Sequence, residues 1–363
     1  MRILLAPATY YPKVGGVEEV TRQLARRLLE RGHAVEILTN RWRGVGPRDV
    51  VDGVEVRRVR FPLPGARRRF ALGAPRAAAA LLGSRADVIH LVATGPIAVY
   101  VAALRPLLRA RVVVTSQGEV GIAQDRIFHR SRALRWAMRR LLADADAVTA
   151  CSQFVLDELR AEFGVSAPAT VVPNGVDPAE LAAEPADEGR YVFAAGRLVE
   201  QKGFDVLLHA FAQADLASHR LLVAGEGRER ERLAALTSDL GLEGRVAWLG
   251  AADRRRLASL FAGAEAVVMP SRQEPFGIVL LEAMAAGKPA IASRVGGVPE
   301  FAEGAAVLVP PEDPVELAEA LNRVVRDPDL RASLAAAARE RAADYTWDRI
   351  ADRYEELYRS TVS

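Results

Sequence analysis

Arg197 and Lys202 lie five residues apart in the run YVFAAGRLVEQKGFDVLL, and Glu274 and Glu282 lie eight apart in VVMPSRQEPFGIVLLEAMAAGKPA. The first run reads as a strand ending at Gly196, a loop, and an amphipathic helix after Gly203. Two cations on a loop at the carboxyl end of a parallel strand suit a diphosphate, the Arg forking two oxygens and the Lys acting as a point charge. The plainer alternative is a pair of solvated loop charges. Lys202 is singled out because it is one of three lysines, with Lys13 and Lys288, among 49 cations. In the second run a buried strand ends at Pro270, a loop carries Glu274, and a helix opens near Phe276 and Gly277. Glu282 then lies about 7–8 Å along the helix axis from its first turn, so the two carboxylates can address different parts of one extended ligand. Carboxylates accept charge-assisted hydrogen bonds from paired sugar hydroxyls, and the free N–H groups of Phe276 and Gly277 would face an anion. An acidic loop leading into a core helix would give the same letters.

Glycines mark two further turns. Strand, Gly15-Gly16, then helix is a geometry in which backbone approaches a phosphate and a helix start offers N–H groups to it. Taken alone, these residues are better explained by a plain strand-to-helix turn that needs positive φ. LLVAGEGRERERL gives strand, Gly225-x-Gly227, helix, with Arg230 where a dinucleotide fingerprint would need its third glycine. A hydride-transfer enzyme is disfavoured for that reason. VVTSQGE places Gln117 and Glu119 on a loop leaving another strand.

The elements that must position these residues alternate along the whole chain. Short β-rich runs at Ile3–Ala6, Val35–Thr39, Val54–Val59, Val88–Val92, Arg111–Thr115, Ala147–Ala150 and Thr170–Val172 are separated by helical periods near 17–31, 70–82, 96–108, 126–142 and 152–163. A second series has strands at Tyr191–Ala195, Arg220–Ala224, Val246–Leu249, Ala266–Met269, Ala290–Ser293 and Val307–Val309. Helices near 203–214, 228–240, 253–262, 277–286, 314–326, 329–343 and 347–359 go with them. Strand–helix alternation is the signature of parallel βαβ units, and 363 residues exceed one compact core. The expected fold is α/β, with two Rossmann-like doubly wound domains facing across a cleft: residues 1–180, then 190–344, with acidic PAELAAEPADEG (178–189) as linker. The last helix carries Tyr345, Trp347, Ile350, Tyr354, Leu357 and Tyr358 near helical spacing.

Composition narrows the class. Half the residues are hydrophobic and 26% charged, which excludes a disordered or fibrous chain. No apolar run approaches the roughly 18–20 residues that span a bilayer, and the N-terminus is too short for a signal-peptide core. The single Cys151 excludes an intrachain disulfide framework. Residues 1–185 carry 27 basic against 18 acidic side chains, a net of +9, and the remainder has a net of −6. A basic N-terminal half points to an anionic partner: phosphate, lipid headgroup or nucleic acid. An arginine bias of this kind usually follows from a GC-rich genome, so it is not read as nucleic-acid recognition.

GGVEE at 15–19, VVPNGVD at 171–177, GRLVEQKG at 196–203, AGEG at 224–227 and EPFGIVLLE at 274–282 together resemble the retaining glycosyltransferases of family 4, over nearly the whole chain. The last segment matches that family's E-x7-E motif. The resemblance implies a GT-B fold whose C-terminal helix, about 345–363, crosses back onto the N-terminal domain, with Tyr354 and Leu357 buried there. It implies a glycosyltransferase of hexosyltransferase type, moving a sugar from a nucleotide-diphosphate donor to an acceptor hydroxyl by front-face attack. Arg197 and Lys202 would neutralise the leaving diphosphate, Glu274 would hold donor-sugar hydroxyls, and Glu282 the ribose. Gly15, Gly16, Gly196, Gly225, Pro275, Phe276 and Gly277 would line the donor. No cofactor and no metal are implied, so Asp144 and Asp146 are not read as ligands. A UDP-sugar is placed ahead of a GDP-sugar.

One departure matters. Gln117 stands where the family has a histidine facing the donor sugar, and an amide cannot be protonated. The expected scheme survives this, because the donor phosphate takes the acceptor's proton. Glu119 is an alternative group for binding or deprotonating the acceptor. His90 and His129 read as strand-end and helix-face residues. The acceptor is a sugar, a lipid-linked sugar or a small metabolite. The basic stretch RIFHRSRALRWAMRRLL (126–142) and Arg67–Arg69 are either solvated faces or a peripheral contact with anionic membrane. The expected location is the cytoplasm, with a peripheral position at the inner membrane surface as the alternative. Alternatives on the same fold are a nucleotide-sugar epimerase or hydrolase, or a degraded protein that only binds the sugar nucleotide.

Overall fold

The computed structural model describes residues 1–13, 15–63, 67–121 and 127–362, with the side chains of 67–72, 127 and 129 outside that description. The expectations for His129 and the Arg67–Arg69 side chains therefore lie outside the described residues. The chain divides into two compact units, Met1–Asn174 with Trp347–Ser363, and Gly175–Thr346.

The first unit runs β1 (Arg2–Leu5), α1 (Gly16–Glu30), β2 (Ala34–Asn40), β3 (Arg48–Val51), β4 (Val54–Val59), α2 (Arg67–Leu82), β5 (Val88–Val92), α3 (Pro96–Leu104), β6 (Arg111–Ser116), α4 (Ile127–Arg130), α5 (Arg132–Asp144), β7 (Ala147–Ala150), α6 (Gln153–Phe163) and β8 (Ala169–Val171). The second runs β9 (Tyr191–Ala195), α7 (Phe204–Gln213), β10 (Arg220–Ala224), α8 (Arg230–Asp239), β11 (Val246–Gly250), α9 (Arg254–Gly263), β12 (Ala266–Met269), α10 (Ile278–Ala285), β13 (Ala290–Ser293), α11 (Val298–Ala302), β14 (Val307–Val309), α12 (Pro314–Arg326) and α13 (Pro328–Ala342). The final helix α14 (Trp347–Val362) belongs to the first unit.

Sheet order in the first unit is β3-β4-β2-β1-β5-β6-β7-β8, and in the second β11-β10-β9-β12-β13-β14. All pairings are parallel except β3 with β4. Helices on both faces explain strands such as β5, VIHLV, that are buried at every position. In each sheet the winding reverses once, between β1 and β5 and between β9 and β12. Open α/β sheets bind ligands beyond the carboxyl ends of the strands at such a point.

Three features differ from the sequence expectation. The division falls at Asn174–Gly175 and not within 178–189. Pro178–Leu181 is a 3-10 turn held by Asp177, with Leu181 buried and Glu180 paired with Arg254 of α9. The stretch 126–142 is not one helix. Ser131 takes an extended conformation and its hydroxyl accepts the Leu134 N–H, so it caps α5 as a separate element. In α14, Tyr354 is buried but Leu357 is only half-buried, and Tyr358 is the deeper residue.

Tyr354 and Tyr358 enter a polar seam in the first unit's interior. His90 lies 2.6 Å from both Tyr358 Oη and Thr115 Oγ1, and Thr115 lies 2.5 Å from Thr149 Oγ1 and 3.3 Å from Tyr354 Oη. Burial pushes the His90 pKa down to about 3, so the ring is neutral near pH 7. His90 is thus a structural residue with both ring nitrogens engaged.

Candidate active site

In the second unit the loops after β9 and β12, on either side of the winding reversal, meet through Lys202 and Glu274. Lys202 Nζ donates to Glu274 Oε2 at 2.5 Å, and Ser271 Oγ donates to the same oxygen at 3.2 Å. Glu274 is buried, with 8% of its side chain exposed against 22% for Lys202. Two glycines let the loops come this close. Gly203, at φ +63°, would put a Cβ 2.1 Å from the Pro270 carbonyl oxygen, and Gly296, at φ +54°, would put one 1.9 Å from that of Glu274. Neither position admits a side chain without moving the loop that carries the charge.

Arg197 is exposed on the β9 loop with no ionic partner among the described residues. The helix α10 opens at Gly277 without a side-chain cap, so its first turn points uncapped N–H groups outward. Phe276 is buried and stacks on Phe301, centroids 4.8 Å apart, which anchors that turn. Gly196 and Gly225 sit on neighbouring loops in backbone contact: a Cβ on Gly225 would lie 1.8 Å from the Gly196 carbonyl oxygen. Glu282 is buried one turn along α10 and accepts a short charged hydrogen bond from Arg254, which also reaches Glu180. Beneath the β9 loop, Arg272 bridges Asp205 at 2.8 Å and the Glu200 carbonyl at 2.8 Å. Burial alone would raise the Asp205 pKa, but its hydrogen bonds from Arg272 and the second partner Arg232 hold it below its ordinary value.

In the first unit the loops after β1, β5 and β6 carry the remaining residues. Gly15 caps α1 in an extended conformation and Gly16 is its first residue. Glu18 and Glu19 are buried behind them, bonded to Thr9 and Tyr11. Gln117 follows β6, and its Oε1 accepts from Asn174 Nδ2 at 2.9 Å. Glu119 acts as a brace. Its Oε1 accepts from Thr94 N and Thr94 Oγ1 at 2.7 Å each, and its Oε2 from Gln117 N at 2.7 Å and Ser116 Oγ at 3.1 Å. A carboxylate with four donors holds the β5 and β6 loops together and has little left for an acceptor. Asp146 is likewise spent, on Arg105, Arg111 and the Val112 N–H, and Asp144 pairs with Arg140.

Sequence reasoning missed Arg254, Ser271, Thr94 and Asn174. Arg254 opens a run of three arginines that nothing in the sequence tells apart, whereas Asn174 lies within the VVPNGVD segment already noted.

With this geometry in hand, similarity to known proteins separates the remaining classes. The model "Glycosyltransferase Family 4" matches residues 14–180 and "Glycosyl transferases group 1" matches 179–341. A D-inositol 3-phosphate glycosyltransferase of Catenulispora acidiphila is 30% identical, over 96% of this chain and 91% of its own. The chain belongs to glycosyltransferase family 4. A glycogen synthase of Mycobacterium tuberculosis is also 30% identical, over 99% of this chain and 94% of its own. Among solved structures, sucrose-phosphate synthase of Thermosynechococcus elongatus superposes with a TM-score of 0.82 at 25% identity, covering 99% of each chain. Anabaena HepE, crystallised with UDP and glucose, gives 0.83 at 24% identity over 99% of this chain and all of its own. This family-4 glycosyltransferase therefore has the GT-B fold. No described helix of the transferase is long and apolar enough to cross a membrane.

Proposed function

We propose that this enzyme is a retaining, metal-independent glycosyltransferase that uses a nucleotide-diphosphate sugar, with a UDP-sugar the first donor to test. The observation that carries this is the Lys202–Glu274 contact at the winding reversal, with Arg197 exposed on the same loop as Lys202 and without an ionic partner among the described residues. A cation and a carboxylate held together offer one ligand both a phosphate and a sugar-hydroxyl partner. In the reaction the bond between the anomeric carbon and the diphosphate oxygen breaks, and the charge left on that oxygen is met by Arg197 and Lys202. The acceptor hydroxyl oxygen bonds to the anomeric carbon on the face the diphosphate leaves, and its proton passes to the departing phosphate oxygen. Glu274 holds hydroxyls of the sugar, and Glu282, oriented by Arg254, holds the ribose. Gly15 and Gly16 bring backbone to the diphosphate, and the turn that leads into α10 adds N–H groups from Phe276 and Gly277. Gly196 and Gly225 shape the loop beneath, and Pro275 sets the entry to α10. Gln117 hydrogen-bonds the substrate and takes up or releases no proton in the reaction.

The named relatives point to different acceptors, so the acceptor panel holds inositol 3-phosphate, a glucan and a lipid-linked sugar. The location belongs to the same reading: cytoplasmic, with peripheral contact to anionic membrane through α5, which exposes Arg132, Trp136, Arg139 and Arg140 on one face. The deciding experiment is a thermal-shift and turnover panel with UDP, GDP and ADP and their sugars, with and without EDTA, and NMR assignment of the product anomer. Stabilisation and turnover that persist in EDTA with a retained anomer are expected. Loss of both in EDTA, or an inverted product, would overturn the proposal.

A further inference from the structure

A lysine ammonium rides on a chain of freely rotating bonds, so Lys202 meets Glu274 and a ligand from one place only if the turn that carries it is held. Lys202 closes the 3-10 turn Glu200–Lys202, whose start at Val199 has no side-chain cap. The turn's own bonds, Lys202 N to the Val199 carbonyl and Gly203 N to that of Glu200, set its shape. Its place against the β12 loop is set by Arg272. The Arg272 backbone N–H donates to the Gln201 carbonyl at 2.8 Å, and Nη1 donates to the Glu200 carbonyl at 2.8 Å. The guanidinium that makes the second contact is itself fixed. Nη1 and Nη2 fork the two oxygens of Asp205 at 2.8 and 3.1 Å, and Nε donates to Glu312 Oε1 at 2.8 Å. Asp205, on the first turn of α7, is tied in turn by Arg232, which also pairs with Glu229 just ahead of α8. Every guanidinium nitrogen is thus engaged within the protein, and the fork admits one orientation of its plane. Only 21% of the Arg272 side chain and 19% of that of Asp205 are exposed, so water competes little for the pair.

We propose that Arg272 is a positioning residue for Lys202: from a guanidinium locked on Asp205 and Glu312 it grips the Glu200 carbonyl, and so keeps the Lys202 ammonium at Glu274, where the diphosphate is bound. The proposal rests on the transferase reading above and adds to it a residue that raises diphosphate affinity without touching the ligand. Lysine cannot replace it. An ammonium is one point of charge and cannot fork a carboxylate, meet Glu312 and reach a carbonyl at once, so Arg272→Lys keeps the charge and loses the grip.

Calorimetric titration of the full chain with whichever of UDP, GDP and ADP binds the wild type tests this. Lys202→Ala should weaken that nucleotide by roughly ten- to a hundredfold, the range for one charged hydrogen bond. Arg272→Gln and Arg272→Lys both keep the backbone bond to Gln201. Each should weaken the nucleotide by roughly threefold or more, and by no more than Lys202→Ala does, because a residue that acts through Lys202 cannot cost more than its removal. In the Lys202→Ala background the same two changes should cost nothing further. Equal factors in both backgrounds would show that Arg272 supports the loops as a whole, and wild-type affinity in Arg272→Lys would show that charge alone suffices; either overturns the proposal. A second readout needs no ligand. The chain has three lysines, Lys13, Lys202 and Lys288, so lysine labelled with 13C at Cε gives one side-chain signal for each, and Lys202→Arg identifies the one that belongs to Lys202. The paired ε-protons of Lys202 should be inequivalent in the wild type and should merge in Arg272→Gln as the ammonium is released. Protons already merged in the wild type, or unchanged in Arg272→Gln, overturn the proposal. If Arg272→Gln does not fold, Asp205→Asn, which unlocks the guanidinium and leaves it in place, should give the same merging, and an unchanged signal there overturns the proposal equally. Merging of the signal in a protein that binds no nucleoside diphosphate would overturn the transferase reading and leave the grip of Arg272 on the turn standing.

Discussion

Glu274→Gln isolates the charge at the contact between the β9 and β12 loops, because the amide keeps nearly the shape of the carboxylate. The 2.5 Å contact to Lys202 has 8% of the glutamate side chain and 22% of the lysine exposed. A hydrogen bond to a charged group contributes roughly 1.5–3 kcal/mol, so affinity for a ligand that uses this carboxylate should fall by about 10- to 150-fold. The nucleotide alone should behave differently. With Glu274 neutral, Lys202 faces a diphosphate without its counter-charge, so a bare nucleoside diphosphate should bind as well as before or better. The ligand-free protein should lose no more than about 1 kcal/mol, since the ammonium is still partly hydrated. Calorimetric titration of wild type and variant with UDP and with the preferred UDP-sugar separates the two effects. Equal losses for both ligands would show that Glu274 does not distinguish sugar from nucleotide, and the reasoning would fail.

Three further outcomes follow from other contacts. Glu282→Gln should weaken the bare nucleotide as well as the nucleotide sugar, measured in the same titrations; an effect confined to the sugar would contradict a ribose role. Gly203→Ala should lower stability by more than about 2 kcal/mol, because φ +63° and the Pro270 carbonyl at 2.1 Å both oppose a Cβ, and a melt matching wild type would refute that. His90, neutral when folded with a pKa of about 3 and near 6.5 when unfolded, makes stability fully present above pH 6.5 and lost as pH falls toward 3. The slope should reach about 1.4 kcal/mol per pH unit and be absent in His90→Asn, as denaturant titrations across that range would show.

What could be read from the sequence were features whose cause is local. The runs β5 and β12 are apolar at almost every position, which marks a strand covered on both faces, and the charges of interest fall just beyond strand ends. The antiparallel β3, RDVV, was not legible, because a polar edge strand has no apolar period and depends on β4 for its pairing. The break at Ser131 is hidden in the sequence because the helical period continues through it; only the cap reveals two elements. The acidic, proline-bearing 178–189 resembles a linker by composition, yet Leu181 and Glu180 dock on α9, a tertiary preference that composition does not carry. At the site, Lys202 and Glu274 stood out by type, but their contact spans 72 residues and needed the sheet order to bring it about. Arg254 and Asn174 were missed for the same reason, since each gains its meaning from a partner far along the chain.

The return of α14 to the first unit has a consequence for biosynthesis. On the ribosome, residues 1–174 emerge long before Trp347–Val362, and until then His90, Thr115 and Thr149 lack the two tyrosine hydroxyls that close their seam. The second unit, continuous in sequence from Gly175 to Thr346, can complete its core while the first still waits. Order of synthesis and order of completion are thus reversed. A released chain truncated after Thr346 should hold a protease-resistant second unit beside a first that is still readily cut, and adding residues 347–362 as a peptide should protect the first.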